Sequence, residues 1–178
     1  SKSDIAWPTG NPFLRPPTKP MFSRGSQQTM DEAIDVKVAR IHPDAVLPVQ
    51  GSKLAAGFDL HSVERVEVKK GTTELLPTGL VLAIPPGWEG QVRCRSGLGK
   101  KGLILPNGVG TIDADYRGEL MVLAHWIGEA DSFVVEKGER IGQILLKRVP
   151  EIRFVEVERE ALDDTERGAG GFGSTGRF

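Results

Sequence analysis

The chain has 178 residues, 39% hydrophobic and 26% charged, which is ordinary for a globular protein and enough for one domain with a sizeable core. Its formal net charge of −1 excludes the broad basic footprint of a nucleic-acid binder but leaves room for a small polyanion in a local basic pocket. The single cysteine, Cys94, excludes an internal disulfide framework. The histidines His42, His61 and His125 are scattered away from any zinc spacing, and no apolar run approaches the ~18 residues of a membrane helix. The expected setting is a reducing, cytoplasmic one (or a nucleus or the interior of a virus-infected cell), neither secreted nor attached to a membrane.

Residues 1–33 are predicted to form a weakly ordered N-terminal arm. Residues 1–29 hold five prolines (Pro8, Pro12, Pro16, Pro17 and Pro20), four basic residues against one acidic, and no periodic apolar pattern. The segment lacks the apolar centre of a signal peptide, and Met30 is a natural start for the domain that follows. The arm is a candidate docking segment for a protein partner.

From residue 34 the pattern turns to β. Ile34, Val36 and Val38 alternate with polar neighbours, as do Val66 and Val68, and Leu80 to Ile84 is a continuous apolar run. Val92 and Cys94 alternate with Arg93 and Arg95, and Leu120 to Ile127 predicts a longer strand. Phe133–Val135, Ile144–Leu146 and Phe154–Val157 follow as further strands. Short strands broken by Gly, Pro and Asp turns predict an all-β sandwich or barrel over 34–162. No long stretch keeps a 3.6-residue period, so little helix is expected. The Gly-rich segment 163–178 closes the chain with RGAGGFGSTGRF, five glycines in twelve residues.

Five polar, glycine-punctuated stretches interrupt the β pattern: AAGFDLHS, RSGLGKKGL, GVGTIDADYRGE, GERIGQILL and the tail. In the second, Arg95 offers a planar fork of donors, Ser96 a hydroxyl, and Gly97 an unobstructed backbone N–H, a set suited to phosphate oxygens. The tail repeats that chemistry with Arg167, Ser174 and Thr175, and no P-loop order is present. Phe172, set among glycines, has no strand in which to be buried and is free to stack on a flat ligand. A tail so rich in glycine is expensive to order, which fits a lid that closes only on ligand. Asp113 and Asp115 share a face if the strand is regular, with Tyr116 opposite, and a carboxylate beside bound phosphates can polarise a water. Asp59 can serve a magnesium through water, and Gln143 can donate an amide N–H to a phosphate. Ile141 and Ile144 to Leu146 read as core, and Arg140 as an interface residue or structural ion pair.

Taken together and in this order, RSGLG, TIDADYRGE, GERIGQ and ALDDTERGAGGFGSTG, preceded by AAGFDLHS, closely resemble the five motifs of the trimeric dUTP pyrophosphatases (dUTPases), over about residue 34 to Thr175. The resemblance implies a distorted jelly-roll-type β-barrel, a homotrimer with active sites at subunit interfaces, and magnesium-assisted hydrolysis of dUTP to dUMP and pyrophosphate. Carried over by position, Asp113 is the carboxylate that orients the attacking water, and Tyr116 is the ring under the deoxyribose that leaves no room for a 2′-hydroxyl. Asn107, Thr111, Ile112 and Met121 surround the uracil. Arg95, Ser96, Gly97 and Gln143 hold the phosphates, and Asp59 holds magnesium through water. Arg167, Phe172, Gly173, Ser174 and Thr175 form the lid. His61 departs from the family pattern in the first motif, which bears on packing.

Two rival readings differ in class. A dCTP deaminase of the same fold wants a catalytic glutamate near the hairpin, and Glu119 is the candidate there. A non-catalytic β trimer would instead serve as a binding module, with the N-terminal arm recruiting a partner.

Overall fold

The structure, a computed structural model, describes residues 33–171. Nearly all of the arm 1–33 therefore lies outside the described residues, as do Phe172, Gly173, Ser174 and Thr175 of the tail. Among the described residues the chain runs through twelve strands: β1 Lys37–Arg40, β2 Val49–Gln50, β3 Phe58–His61, β4 Val66–Lys69, β5 Thr73–Pro77, β6 Leu80–Ala83, β7 Trp88–Arg93, β8 Leu103–Ile104, β9 Gly110–Ile112, β10 Met121–Trp126, β11 Ser132–Val135 and β12 Arg140–Arg148. A single α-helix, α1 Ser96–Lys101, sits between β7 and β8, and a 3-10 turn covers Arg159–Ala161.

All strand pairs are antiparallel, in four sheets: β1–β6, β5–β10–β8, β11–β4, and the five-stranded β2–β3–β12–β7–β9. The alternation read from sequence explains the layering, because successive strand residues face opposite sides. On β10, Val122, Ala124 and Trp126 are buried while Met121 is exposed. On β12, Ile141, Ile144 and Leu145 are buried, as expected for core. Leu60, Leu76, Leu80, Ile84, Leu120 and Ile144 are almost completely excluded from solvent, each contributing about 1.5–3 kcal/mol of transfer free energy. Gly90 is pinned in this core: a Cβ there would press on Ile84, Ile144 and Ile112 at 3.0–3.2 Å.

Two expectations need correction and a third is refined. Phe154–Val157 is not a strand; residues 151–158 run without a β partner among the described residues, and Phe154 is 97% exposed. Its apolar pattern is real, but a strand needs a second backbone to pair with. Where little helix is expected, the stretch after Arg95 forms a short one: the Arg95 carbonyl accepts from the N–H groups of Leu98 and Gly99, and Gly102, left-handed at φ 109°, ends the helix. Finally, β9 stops at Ile112, so Asp113 and Asp115 lie in a turn and the argument that they share a strand face does not apply.

Candidate active site

The predicted site residues fall into two groups, and β7 connects them. In the C-terminal half of β7, the pairing Val92↔Gly110, Gln91↔Thr111 and Gly90↔Ile112 fixes β9. Just past that pairing, β7 runs out through Arg93 into Arg95 and α1.

The first group surrounds a cleft of about 340 Å³ whose lining includes Asn107, Thr111, Ile112, Asp113, Tyr116 and Met121. Leu75, Val92, Leu105 and Leu123 supply its apolar wall. Sequence reasoning missed these four: Leu75 and Leu123 lie on β5 and β10, away from the motifs, while Val92 and Leu105 lie beside motifs but carry no polar group to mark them. The mouth is shaped by two turns. Gly108, at φ 70°, donates its N–H to the Leu105 carbonyl at 3.0 Å, and Val109 donates to the Asn107 carbonyl at 2.8 Å. Tyr116 N–H then closes the second turn onto the Asp113 carbonyl at 3.2 Å. Arg117 braces that turn, its Nη1 donating to the carbonyls of Ala114 (2.7 Å) and Tyr116 (2.8 Å). The Tyr116 hydroxyl donates to the Glu119 carbonyl at 3.1 Å, so its ring stands as a fixed, 45% exposed wall of the cleft. Asp113 is exposed at the same rim. The Glu119 carboxylate is already engaged, accepting the Gly79 N–H at 2.7 Å, which weakens the deaminase reading.

The second group collects around β12. Gln143 lies opposite Asp59 on β3 and opposite Arg93 on β7. Asp59, its side chain only 16% exposed, sits between two guanidinium groups: Arg95 Nε at 3.4 Å and Arg140 Nη1 at 3.3 Å. Arg140 is thus an ion-pair residue, as its sequence context suggested. Gln143 Nε2 donates to the Cys94 carbonyl at 3.3 Å. Ser96 and Gly97 occupy the exposed first turn of α1, next to Arg95. His61, on the same strand as Asp59, has a buried Nδ1 without a partner, and burial pushes its pKa down. None of Asp59, Arg95, Ser96, Gly97 or Gln143 lines the cleft of the first group.

Arg167 lies on an exposed turn, where its Nε donates to the Gly170 carbonyl at 2.8 Å. Among the described residues no group of three or more His, Cys, Asp or Glu side chains converges as a metal cage. The donor set is one carboxylate flanked by cations, which suits a magnesium carried mainly by phosphate oxygens and touched by Asp59 through water.

The family model described as dUTPase matches residues 44–176. The chain is 49% identical over 148 residues to the deoxyuridine 5′-triphosphate nucleotidohydrolase of Syntrophotalea carbinolica, covering 82% of this chain and 99% of that one. It is 47% identical over 144 residues to the enzyme of the same name from Nautilia profundicola, covering 80% and 99%. Its fold is similar to that of a variant dUTPase of Staphylococcus bacteriophage 80alpha solved with dUpNHpp, with a TM-score of 0.75, 26% identity, and coverage of 82% of this chain and 100% of that one.

Proposed function

The chain belongs to the dUTPase family and hydrolyses dUTP to dUMP and pyrophosphate, which keeps uracil out of DNA and supplies dUMP for dTMP synthesis; from that premise we propose how its residues share the reaction. The observation that carries the assignment is the cleft in which Asn107, Tyr116, Met121 and Asp113 meet. Uracil enters between the 107–112 turn and Met121. Backbone groups around Thr111 and Ile112 read its polar edge, and the tight turn refuses a 5-methyl group. The Tyr116 ring packs under the deoxyribose and occupies the space of a 2′-hydroxyl.

Asp113, at the rim, orients a water and takes its proton as the oxygen attacks the α-phosphorus. The bond from that phosphorus to the bridging oxygen breaks, and pyrophosphate leaves with the electron pair. Arg95, Ser96, Gly97 and Gln143 hold the phosphate chain in line. Magnesium, when bound with the triphosphate, supplies charge neutralisation at the leaving group, with Asp59 accepting hydrogen bonds from its water shell. Arg167, Phe172, Gly173, Ser174 and Thr175 close over the nucleotide as a lid.

A homotrimer completes the site. What supports this is the separation of the phosphate-holding group from the cleft, together with the apolar segment Ile152, Phe154 and Val155 left in water by a single chain. One subunit supplies the cleft, another the Arg95–Gln143 group, and the tail closes across the interface. The single thiol, Cys94, suits a reducing cell interior.

The test is pyrophosphate release from dUTP, dCTP, dTTP and UTP with magnesium, for the parent and Asp113→Asn. Release from dUTP alone, reduced ~10²–10⁴-fold in the variant, is expected for a general base. Equal release from several nucleotides, or an unaffected variant, would overturn the assignment of the cleft and of Asp113.

A further inference from the structure

Tyr116 does not hold itself in place. Its phenol folds back across Gly118, where a Cβ would overlap the hydroxyl, and reaches the carbonyl of Glu119 at 3.1 Å. The position of that carbonyl is set by what grips residues 119 and 120. The Glu119 carboxylate accepts the Gly79 N–H at 2.7 Å, Leu120 N–H donates to the Leu80 carbonyl at 2.7 Å, and the buried Thr78 hydroxyl donates to the Leu120 carbonyl. Thr78 is fully excluded from solvent.

The gripping turn is itself rigid. Gly79 is at φ 66°, a Cβ on it would stand 2.6 Å from His42 Cβ and 3.0 Å from Ala45 Cβ, and its carbonyl accepts the Ile41 N–H at 2.9 Å. Of the bonds from this turn to residues 119 and 120, only the one to Glu119 ends on a side chain that also lines the cleft.

We propose that Glu119 is a positioning residue for sugar discrimination: by anchoring to the Gly79 N–H it fixes the carbonyl on which the Tyr116 hydroxyl rests, and so sets how closely the ring approaches C2′ of the nucleotide. This rests on the reading of Tyr116 as the wall under the deoxyribose. A ring displaced by a fraction of an ångström still packs against the sugar but leaves room for a 2′-hydroxyl, so the loss falls on discrimination more than on turnover.

The experiment compares kcat/KM for dUTP and for UTP, with melting temperature, in Glu119→Asp, Glu119→Gln, Tyr116→Ala and Val68→Ala. Aspartate retracts the carboxylate by one methylene, about 1.5 Å, beyond hydrogen-bond reach of Gly79. Glutamine keeps an oxygen that can accept the same N–H. Val68, fully buried on β4 and absent from the cleft, reports the effect of lost stability alone. Glu119→Asp is expected to lower the dUTP/UTP preference about tenfold or more while Glu119→Gln and Val68→Ala keep it. If Tyr116→Ala loses the preference and Glu119→Asp stays within twofold of the parent, the role of Glu119 is overturned and that of Tyr116 stands. A fall in Val68→Ala equal to that in Glu119→Asp also overturns the role of Glu119. A preference unchanged in Tyr116→Ala overturns both.

Discussion

Gly57 and Gln143 compete for one volume: a Cβ built on Gly57 would overlap the Gln143 amide oxygen and come within 3.3 Å of its Cβ. The glycine of the first motif is thus required by the glutamine of the fourth. Gly57→Ala should turn the flexible amide aside and break its hydrogen bond to the Cys94 carbonyl. Because a side chain rather than backbone yields, stability should change by only about 1 kcal/mol, while kcat/KM for dUTP falls about tenfold or more. Denaturant unfolding and steady-state kinetics on the same preparation separate the two effects.

Gly97 presents the opposite case. A Cβ there would meet nothing within 4 Å, and its φ is not left-handed, so nothing in the chain demands glycine. Gly97→Ala should leave the melting temperature unchanged or raise it slightly, since alanine is the better helix former by up to about 1 kcal/mol. Activity should nevertheless fall, because the methyl group enters the space assigned to phosphate. A variant with both stability and kcat/KM intact would remove Gly97 from the phosphate contacts.

If the cleft and the phosphate-holding group of one active site come from different chains, two inactive variants can rescue each other. Asp113→Asn and Gln143→Ala, dissociated, mixed equally and reassembled, should recover about a quarter of the parental activity by random assortment. Sites built within one chain would recover none.

Cys94 gives a prediction in pH. Burial pushes its thiol up from the ordinary 9.0, and its single S–H has two acceptors within reach, the carbonyls of Arg95 (3.3 Å) and Leu103 (3.4 Å). A pKa raised by folding means that the unfolded chain loses its proton first. The contribution to stability is therefore complete below pH 9.0 and is lost as pH rises from there through the folded value. Cys94→Ala should flatten that alkaline slope, and a thiol reagent at about pH 8 should label the unfolded chain much faster than the folded one. Equal labelling rates would contradict the burial.

The strands legible in the sequence were those whose alternation or continuous apolar run survives functional demands, such as Val66 and Val68 on β4, Phe133–Val135 on β11 and Leu80 onward on β6. β3 shows the same alternation, Phe58 and Leu60 against Asp59 and His61, but four residues in a polar, glycine-punctuated stretch are too short a pattern to stand out. The helix α1 was hidden because Gly97 and Gly99 leave only Leu98 to mark an apolar face. The residues that carry chemistry were visible as types, but not their grouping. The pairing of Gln143 with Asp59 and the bond from Gly79 to Glu119 each join segments tens of residues apart, where no local pattern speaks. Phe154–Val157 was legible as apolar and misread as locally paired, since a sequence does not say whose backbone completes a ladder.

That same segment bears on dosage. A chain that holds Phe154 almost wholly in water is a poor solitary species, so its useful form depends on meeting its copies. Output then rises more steeply than chain number: below the assembly threshold, halving the supply removes more than half of the turnover.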